Sequence, residues 1–407
     1  MNDEWYRLDN VGFYYASMKN KKNPTVNRFS ITLTEKIDET ILLDAAKETM
    51  KVFPNFHVTL KSGFFWYYLE ESTLDVKVKE EHTPICYKLY HDSSDILYRI
   101  TYYNNRINLE VSHIVSDGRG TIELFKYLIS TYIIMKYKLH MMVQSNASYS
   151  DKMEDSFDKY YKHTNPPKGN YKNIYHYEGR RLNNTTRFIE LHMPVNKVLA
   201  QAHKYNSSLT VYLVSVLIQS IIKEMKTSDK NKLIKIDLPV DLRSFFDSSS
   251  SKNFFGLVAI DYELTEDNSF EHIINVVKEQ FNEKIKPEAL EERMNKMAAF
   301  TKWIAARMIP LFIKNVGMYF IDKFTGNFHT TTLSNVGSIS FPKEIEKYIK
   351  FVAVFTSTNY FQFIVSSNKN DLCLGISSKY KYNNIVRNFS DYLLSNGIEE
   401  TMYTDVM

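Results

Sequence analysis

The apolar pattern of this chain changes its period at Gly118, and that change restricts the possible fold more than any other feature. Before it, Ile107, Leu109 and Val111 alternate with polar residues, which is typical of a strand. After it, apolar residues recur at helical spacing, at Ile122, Phe125, Leu128, Ile129, Tyr132 and Ile133. We therefore predict a strand that leads directly into a helix. His113 continues the apolar side of the strand, so its side chain is expected in the interior.

The same alternation of strands and helices occurs twice along the chain. We predict strands at residues 27–34, 55–60, 63–70, 96–103 and 106–113, and again at 187–195, 233–240, 254–264, 331–340, 351–357, 360–366 and 372–378. Helices are predicted after an Asp38 cap, over 122–133, 196–205 and 210–225, and within 270–324. Because hairpins and helices are interleaved, the sequence predicts an α/β protein of two similar lobes, each a mixed β-sheet flanked by helices.

The boundary between the lobes is predicted from a shift in composition. Residues 142–187 are rich in Ser, Asn, Lys and Tyr and sustain no period, which is typical of a linker. We therefore place an N-terminal lobe with its trailing linker at 1–178 and a C-terminal lobe at 179–407.

Charge and cysteine content exclude several classes of protein. The 51 basic and 47 acidic residues are mixed along the chain, so no stripe for nucleic acid is predicted. Cys86 and Cys373 have no metal-ligand spacing, which favours a reducing cytoplasm over a disulfide framework. The amino terminus lacks a secretory signal pattern, and the longest apolar helix candidate, 211–222, is too short to span a membrane. We expect a cytoplasmic monomer.

His113, Asp117 and Gly118 form the motif H-x-x-x-D-G at the junction of the predicted strand and helix. An imidazole titrates near neutral pH, so His113 is a candidate general base for a hydroxyl or amine that attacks a thioester. Two other interpretations remain open at this point, because a lone His on an apolar face is often a core residue and Asp117 is a natural helix cap. A metal pair lacks a third ligand, and neither cysteine has a nucleophile's partner motif.

Three further stretches give the motif a context. They are residues 238–243 (Leu-Pro-Val-Asp-Leu-Arg), 253–256 (Asn-Phe-Phe-Gly) and 332–337 (Thr-Leu-Ser-Asn-Val-Gly). In order and spacing, the chain resembles the chloramphenicol-acetyltransferase-like superfamily of coenzyme A-dependent acyltransferases, most closely its alcohol acetyltransferase and condensation-like branch. The resemblance covers nearly the whole chain. It implies two lobes in a V, with a tunnel between them and the motif His at its centre.

The resemblance also implies roles for individual residues. His113 would be the catalytic base, and Asp117 would hold the loop by pairing with Arg243. The Gly118 N–H would be a donor to the oxyanion, with Ser334 and Asn335 as further candidates from the opposite lobe.

The branch of the family is indicated by two differences. Condensation domains usually have two consecutive His at the motif, whereas Ser112 precedes His113 here, which favours free acyl-CoA as the donor. The chain also lacks the Asp-Phe-Gly-Trp-Gly sequence of the plant BAHD enzymes.

The sequence thus predicts an acyltransferase that moves an acyl group from acyl-CoA to a small alcohol or amine by direct transfer, with no permanently bound cofactor and no metal. Two alternatives are a condensation enzyme that depends on an acyl or peptidyl carrier protein, and a non-catalytic binding module of the same fold. The acyl chain and the acceptor are not predicted. A helix with aromatic residues, around Phe300, Trp303, Ile304, Met308 and Phe312, is interpreted as core in preference to a tunnel wall.

Overall fold

The computed structural model describes residues 5–18, 24–143, 152–164, 173–182, 185–302, 308–325 and 328–404. Their strands are β1 (Trp5–Arg7), β2 (Val26–Leu33), β3 (Val58–Ser62), β4 (Tyr67–Glu71), β5 (Val78–Glu80), β6 (Tyr98–Tyr103), β7 (Arg106–Ser112), β8 (Arg187–Pro194), β9 (Ile234–Asp241), β10 (Phe255–Tyr262), β11 (Thr331–Ser338), β12 (Ile349–Thr356), β13 (Phe361–Asn368), β14 (Asp371–Ser378) and β15 (Thr401–Thr404). Their helices are α1 (Asn10–Met18), α2 (Glu39–Val52), α3 (Gly118–Tyr137), α4 (Ser156–Tyr160), α5 (Val195–Lys204), α6 (Leu209–Ile222), α7 (Phe270–Lys284), α8 (Pro287–Lys302), α9 (Leu311–Thr325), α10 (Lys343–Glu346) and α11 (Asn384–Ser395).

The first lobe is built on a five-stranded sheet in the order β12-β2-β7-β6-β5. Phe29 of β2 lies opposite Leu109 of β7, and Ile31 lies opposite Ile107, so one face of the sheet is apolar and packs under α2 and α3. The predicted Asp38 cap is confirmed, because its side chain accepts a hydrogen bond from the Ile41 N–H. A smaller sheet, β1-β4-β3, lies beside this lobe.

The second lobe is built on a seven-stranded sheet in the order β10-β9-β11-β13-β14-β8-β15. Helices α6 and α11 bury their apolar sides in one core with this sheet. The predicted helical stretch 270–324 is three helices, because Pro287 begins α8 and Pro310 directly precedes α9. Two mixed α/β lobes are confirmed.

One strand links the lobes. β12 comes from the second half of the chain but pairs with β2 of the first sheet, from Ile349 opposite Leu33 to Thr356 opposite Asn27. A Cβ atom on Gly375 of β14 would lie 1.9 Å from the Val354 carbonyl oxygen, so β14 and β12 pack backbone against backbone. The predicted division at 178/179 does not account for this crossover.

The polar side of β7 is buried as well as its apolar side. Arg28 donates to both oxygens of Glu81, at 2.5 and 2.6 Å, and to Glu110 at 3.2 Å. Arg106 forms an ion pair with Glu190 of β8, which lies in the other lobe. Each of these buried charges on and beside β7 therefore has a partner of opposite sign, as burial requires.

Three predictions from the sequence need correction. No element was predicted for residues 10–18 or 384–395, which form α1 and α11. The spacing of Ile385, Phe389 and Leu393 would have indicated α11, whereas α1 buries residues on all sides and has no such period. Met308 and Phe312 are exposed by 71% and 67%, so the interpretation as core is wrong for them, and the side chains of residues 300–307 lie outside the described set.

No single helix within the described ranges is both long enough and apolar enough to cross a bilayer.

Candidate active site

His113 lies in the turn between β7 and α3, at the junction of the lobes. The strand ends at Ser112, so the predicted alternation stops one residue early and His113 does not follow Val111 into the first core. Its backbone N–H donates to the Thr25 carbonyl at 2.9 Å. Its ring stacks on Tyr15 of α1, with centroids 4.7 Å apart, and Tyr15 packs against the cores of both lobes.

The two ring nitrogens of His113 differ in their surroundings. Nδ1 is buried and has no hydrogen-bond partner. Nε2 is not among the fully buried atoms that lack a partner. Burial lowers the pKa of His113 to about 4, although the Asp117 charge, the Asn253 side chain and the Ser116 backbone act to raise it. The imidazole is therefore neutral at pH 7 and able to accept a proton at Nε2.

Asn253, just before β10, connects the motif turn to the start of the chain. Its Nδ2 donates to the His113 carbonyl at 3.1 Å and to Asp9 at 3.0 Å, and its N–H donates to Asp9 at 3.1 Å. Burial raises the pKa of Asp9 to about 7, with the charge of Asp155 acting in the same direction. Oδ1 of Asn253, like Nδ1 of His113, is buried without a partner.

Asp117 and Arg243 are paired, as predicted. Arg243 donates to Oδ2 of Asp117 at 2.9 Å and to Oδ1 at 3.3 Å. The same carboxylate accepts from the Gly120 N–H at 2.8 Å and from the Phe254 N–H at 2.7 Å. With both oxygens occupied in this way, Asp117 caps α3 and ties it to the second lobe, and it is not free to exchange a proton with His113.

Gly120 is required by the packing of the same turn, and sequence reasoning gave it no role. A Cβ atom there would lie 2.2 Å from the Ser251 carbonyl oxygen, which also accepts a hydrogen bond from the Ser116 hydroxyl at 2.6 Å. A Cβ atom on Gly118 would meet Val336 at 3.6 Å, an ordinary contact. The available signal was a second glycine two residues after the motif.

Ser334 and Asn335 are not brought to His113 by any hydrogen bond within the described ranges. The Asn335 amide donates to the Thr210 hydroxyl at 2.9 Å, and its oxygen accepts from the Gly337 N–H at 3.0 Å. The residue of β11 that meets the motif is Val336, through Gly118. The roles of Ser334 and Asn335 stay predictions.

Two of the cavities lined by described residues lie away from His113. One of about 370 Å³ lies at the edge of the second sheet, beside Asp261 and His272. The other, of about 30 Å³, lies between α1 and Trp66. The tunnel implied by the family resemblance therefore stays a prediction. Within the described ranges, no group of three His, Cys, Asp or Glu side chains is arranged to hold a metal.

No family model matches the chain, and no curated protein matches it. Several solved structures match the chain in fold. The first condensation domain of the calcium-dependent antibiotic synthetase, in complex with a substrate analogue, matches with a TM-score of 0.65 and 8% identity over 97% of this chain and 95% of that one. Trichothecene 15-O-acetyltransferase from Fusarium sporotrichioides matches with a TM-score of 0.62 and 8% identity over 96% and 94%. F. graminearum TRI101, complexed with coenzyme A and T-2 mycotoxin, matches with a TM-score of 0.64 and 9% identity over 96% and 97%.

These matches define the class of fold. The chain shares its fold with these condensation-domain and acetyltransferase structures, and the fold expected from the resemblance is confirmed. At 8–9% identity they establish nothing finer than the fold.

Proposed function

We propose that the protein is an acyltransferase that moves an acyl group from acyl-CoA to an alcohol or amine, with His113 as the general base. The observation that carries this proposal is the state of the imidazole. It is neutral at pH 7, its ring stacks on Tyr15, and the turn that holds it is hydrogen-bonded to Asn253 and Arg243 of the second lobe.

In the proposed reaction, Nε2 takes the proton from the acceptor as its oxygen or nitrogen attacks the thioester carbonyl. The tetrahedral intermediate collapses with loss of the coenzyme A thiolate, which receives the same proton from the imidazolium. No bond to the enzyme forms. The Gly118 N–H, at the start of α3, is the proposed oxyanion donor because the helix amino terminus favours negative charge.

We infer that Asn253 fixes the tautomer of His113. Nδ1 of His113 and Oδ1 of Asn253 are both buried and unpaired, and the Asn253 side chain acts to raise the pKa of His113. A hydrogen bond from Nδ1–H to Oδ1 of Asn253 would leave the lone pair on Nε2. Asp9 accepts from the other end of this amide and so orients it. Asn253 and Asp9 are positioning residues in this mechanism.

The donor is proposed to be free acyl-CoA. The residue before His113 is Ser112, which is buried and whose hydroxyl accepts from the Ile114 N–H, so a second imidazole is absent there. The likeness to a structure bound to coenzyme A supports this choice. The likeness to a condensation domain supports the second candidate, an acyl group taken from a carrier protein.

The test is release of free thiol from a series of acyl-CoA donors, each with alcohol and amine acceptors. His113→Ala is expected to lower turnover by roughly 10²–10⁴-fold, the usual contribution of a general base. His203→Ala is the matched control, because His203 is exposed on α5. Turnover that requires a phosphopantetheinylated carrier protein would favour the second candidate. Equal rates for His113→Ala and the wild type would rule out the mechanism, and absence of turnover with every donor would favour a binding module.

A further inference from the structure

Helix α1 packs against the turn that carries His113, although the sequence pattern predicted no element there. The two backbones come closest at Gly12, where a Cβ atom would lie 2.6 Å from the carbonyl oxygen of Ile114. Three residues further along α1, Tyr15 stacks on the imidazole of His113, with ring centres 4.7 Å apart and ring planes at 23°. Because residues three apart lie on the same side of a helix, α1 presents one face to the motif turn.

The ring of Tyr15 is held in place by its own packing, so it is able to fix the orientation of the imidazole. It packs against the hydrophobic cores of both lobes, and Tyr14 contacts it edge-on with ring centres 5.4 Å apart. Burial raises the pKa of Tyr15 to about 12, and the charge of Asp9 acts in the same direction. The phenol is therefore neutral at pH 7, and it offers His113 the negative face of an uncharged aromatic ring.

The surroundings of His113 make a positive charge on its ring costly. Nδ1 is buried without a hydrogen-bond partner. The carboxylate of Asp117 is already occupied, because it accepts hydrogen bonds from Arg243 and from two backbone N–H groups. Burial disfavours the charged form of an imidazole. An aromatic face offsets part of this cost, and it attracts a desolvated cation more strongly than an exposed one.

We propose that Tyr15 is a positioning residue that stabilises the protonated imidazole of His113 through the face of its ring. The inference rests on the proposed acyl transfer, in which His113 becomes a cation as the acceptor attacks the thioester. A cation within about 6 Å of the centre of an aromatic face is attracted to it, and the neutral imidazole lacks that charge. The attraction therefore strengthens as the proton moves to His113, so it raises kcat and leaves KM unchanged.

The test separates the face of the ring from the space that it fills. Tyr15→Leu keeps an apolar side chain but removes the ring, whereas Tyr15→Phe keeps the ring and removes the hydroxyl. With the acyl-CoA and acceptor that the wild type uses fastest, Tyr15→Leu is expected to lower kcat roughly tenfold, which is the size of a desolvated cation–π contact. Its KM is expected to stay unchanged, which also shows that the variant is folded. Tyr15→Phe is expected to keep most of the turnover.

The matched control is Tyr348→Leu, which removes a stacked tyrosine far from the motif. Tyr348 stacks on Tyr137 with ring centres 3.7 Å apart. Tyr137 is the last residue of α3, and the motif lies at the first residue of that helix, about 30 Å away at 1.5 Å per residue. Tyr348→Leu is expected to turn over like the wild type.

The stack also has a signature in NMR spectra that does not depend on turnover. In protein labelled selectively at histidine, the ring current of Tyr15 is expected to shift the ring C–H resonances of His113 upfield. These resonances should move downfield in Tyr15→Leu and stay in place in Tyr15→Phe. His113→Ala identifies them, because it removes them from the spectrum.

Four results would overturn the inference. They are wild-type kcat in Tyr15→Leu, a loss in Tyr15→Phe as large as that in Tyr15→Leu, a raised KM with unchanged kcat, and His113 resonances that do not move in Tyr15→Leu. Failure of the proposed function has a different result. If His113→Ala turns over like the wild type, the general-base mechanism fails and the role of Tyr15 fails with it. Turnover that needs His113 but not the ring of Tyr15 overturns this inference alone.

Discussion

Two histidines beside the junction of the lobes have opposite surroundings. Nδ1 of His113 is buried without a hydrogen-bond partner, and burial lowers the pKa of His113 to about 4. His192 on β8 has both nitrogens next to carboxylates, with Nδ1 2.9 Å from Asp371 and Nε2 3.2 Å from Glu190. Burial alone would lower the pKa of His192, but hydrogen bonds with Asp371, Cys373 and Glu190 raise it to about 12. Burial therefore does not determine the charge of a histidine; its partners do.

The difference separates a group available for chemistry from a group used for structure. His192 is held as a cation between two carboxylates, and Arg106 of the first lobe forms an ion pair with one of them, Glu190. Both ring N–H groups of the His192 cation already donate to these carboxylates. His113 is neutral at pH 7, so it is the histidine of the pair that is able to accept a proton from a substrate.

The largest expected effect on stability is from His192→Ala. Among the described residues, removal of this cation leaves Arg106 as the only cation beside the two carboxylates of Glu190 and Asp371. Breaking a buried charge cluster lowers the free energy of unfolding by about 3–5 kcal/mol. His113→Ala removes no bonded side chain and should change stability by about 1 kcal/mol or less. Urea denaturation at pH 7 measures both. Equal losses for the two variants would mean that the surroundings of the two rings do not differ as described.

A second comparison contrasts two aspartates that cap helices. Asp38 caps α2 at the surface, whereas Asp117 caps α3 and also pairs with Arg243. Because Asn caps a helix as well as Asp, Asp38→Asn should be nearly neutral. Asp117→Asn leaves the Arg243 guanidinium with less compensating charge and should cost about 3 kcal/mol. Urea denaturation of the two variants measures how much the Asp117–Arg243 pair adds to the free energy of unfolding beyond helix capping. If Asp117→Asn lowers that free energy no more than Asp38→Asn does, Asp117 acts only as a cap.

The sequence predicted the region of His113 better than that of His192, because the signals around His113 are local. The change of period at Gly118 placed the turn, and family resemblance added the pairing of Asp117 with Arg243. Asp9 and Asn253 lie 244 positions apart and meet only through the tertiary fold, so their contact had no signal in either segment.

His192 occupies an ordinary position in a strand, and nothing nearby in the sequence indicates that Asp371 comes from the neighbouring strand β14. The crossover of β12 was missed for the same reason, since strand order in a sheet depends on contacts between distant segments. The expected roles of Ser334 and Asn335 were taken from family resemblance alone. In the structure, the residue of their strand that lies against Gly118 of the motif is Val336.

The smallest expected effect is a difference in the pH dependence of stability, and it has opposite signs for the two histidines. The pKa of His113 is about 4 when folded and about 6.5 when unfolded, so the unfolded chain binds more protons in that window and His113 lowers stability as the pH falls through it. The pKa of His192 is raised when folded, so its contribution is fully present below pH 6.5 and is lost as the pH rises above it.

Each slope is at most about 1.4 kcal/mol per pH unit. The acid slope should be missing from His113→Ala and the alkaline slope from His192→Ala. The pKa of Asp9 is also raised, to about 7, but both variants keep this residue, so its contribution largely cancels when each is compared with the wild type. Urea midpoints measured from pH 5 to 9 test both signs at once. If the acid slope of the wild type survives in His113→Ala, the pKa of His113 is not lowered in the folded protein.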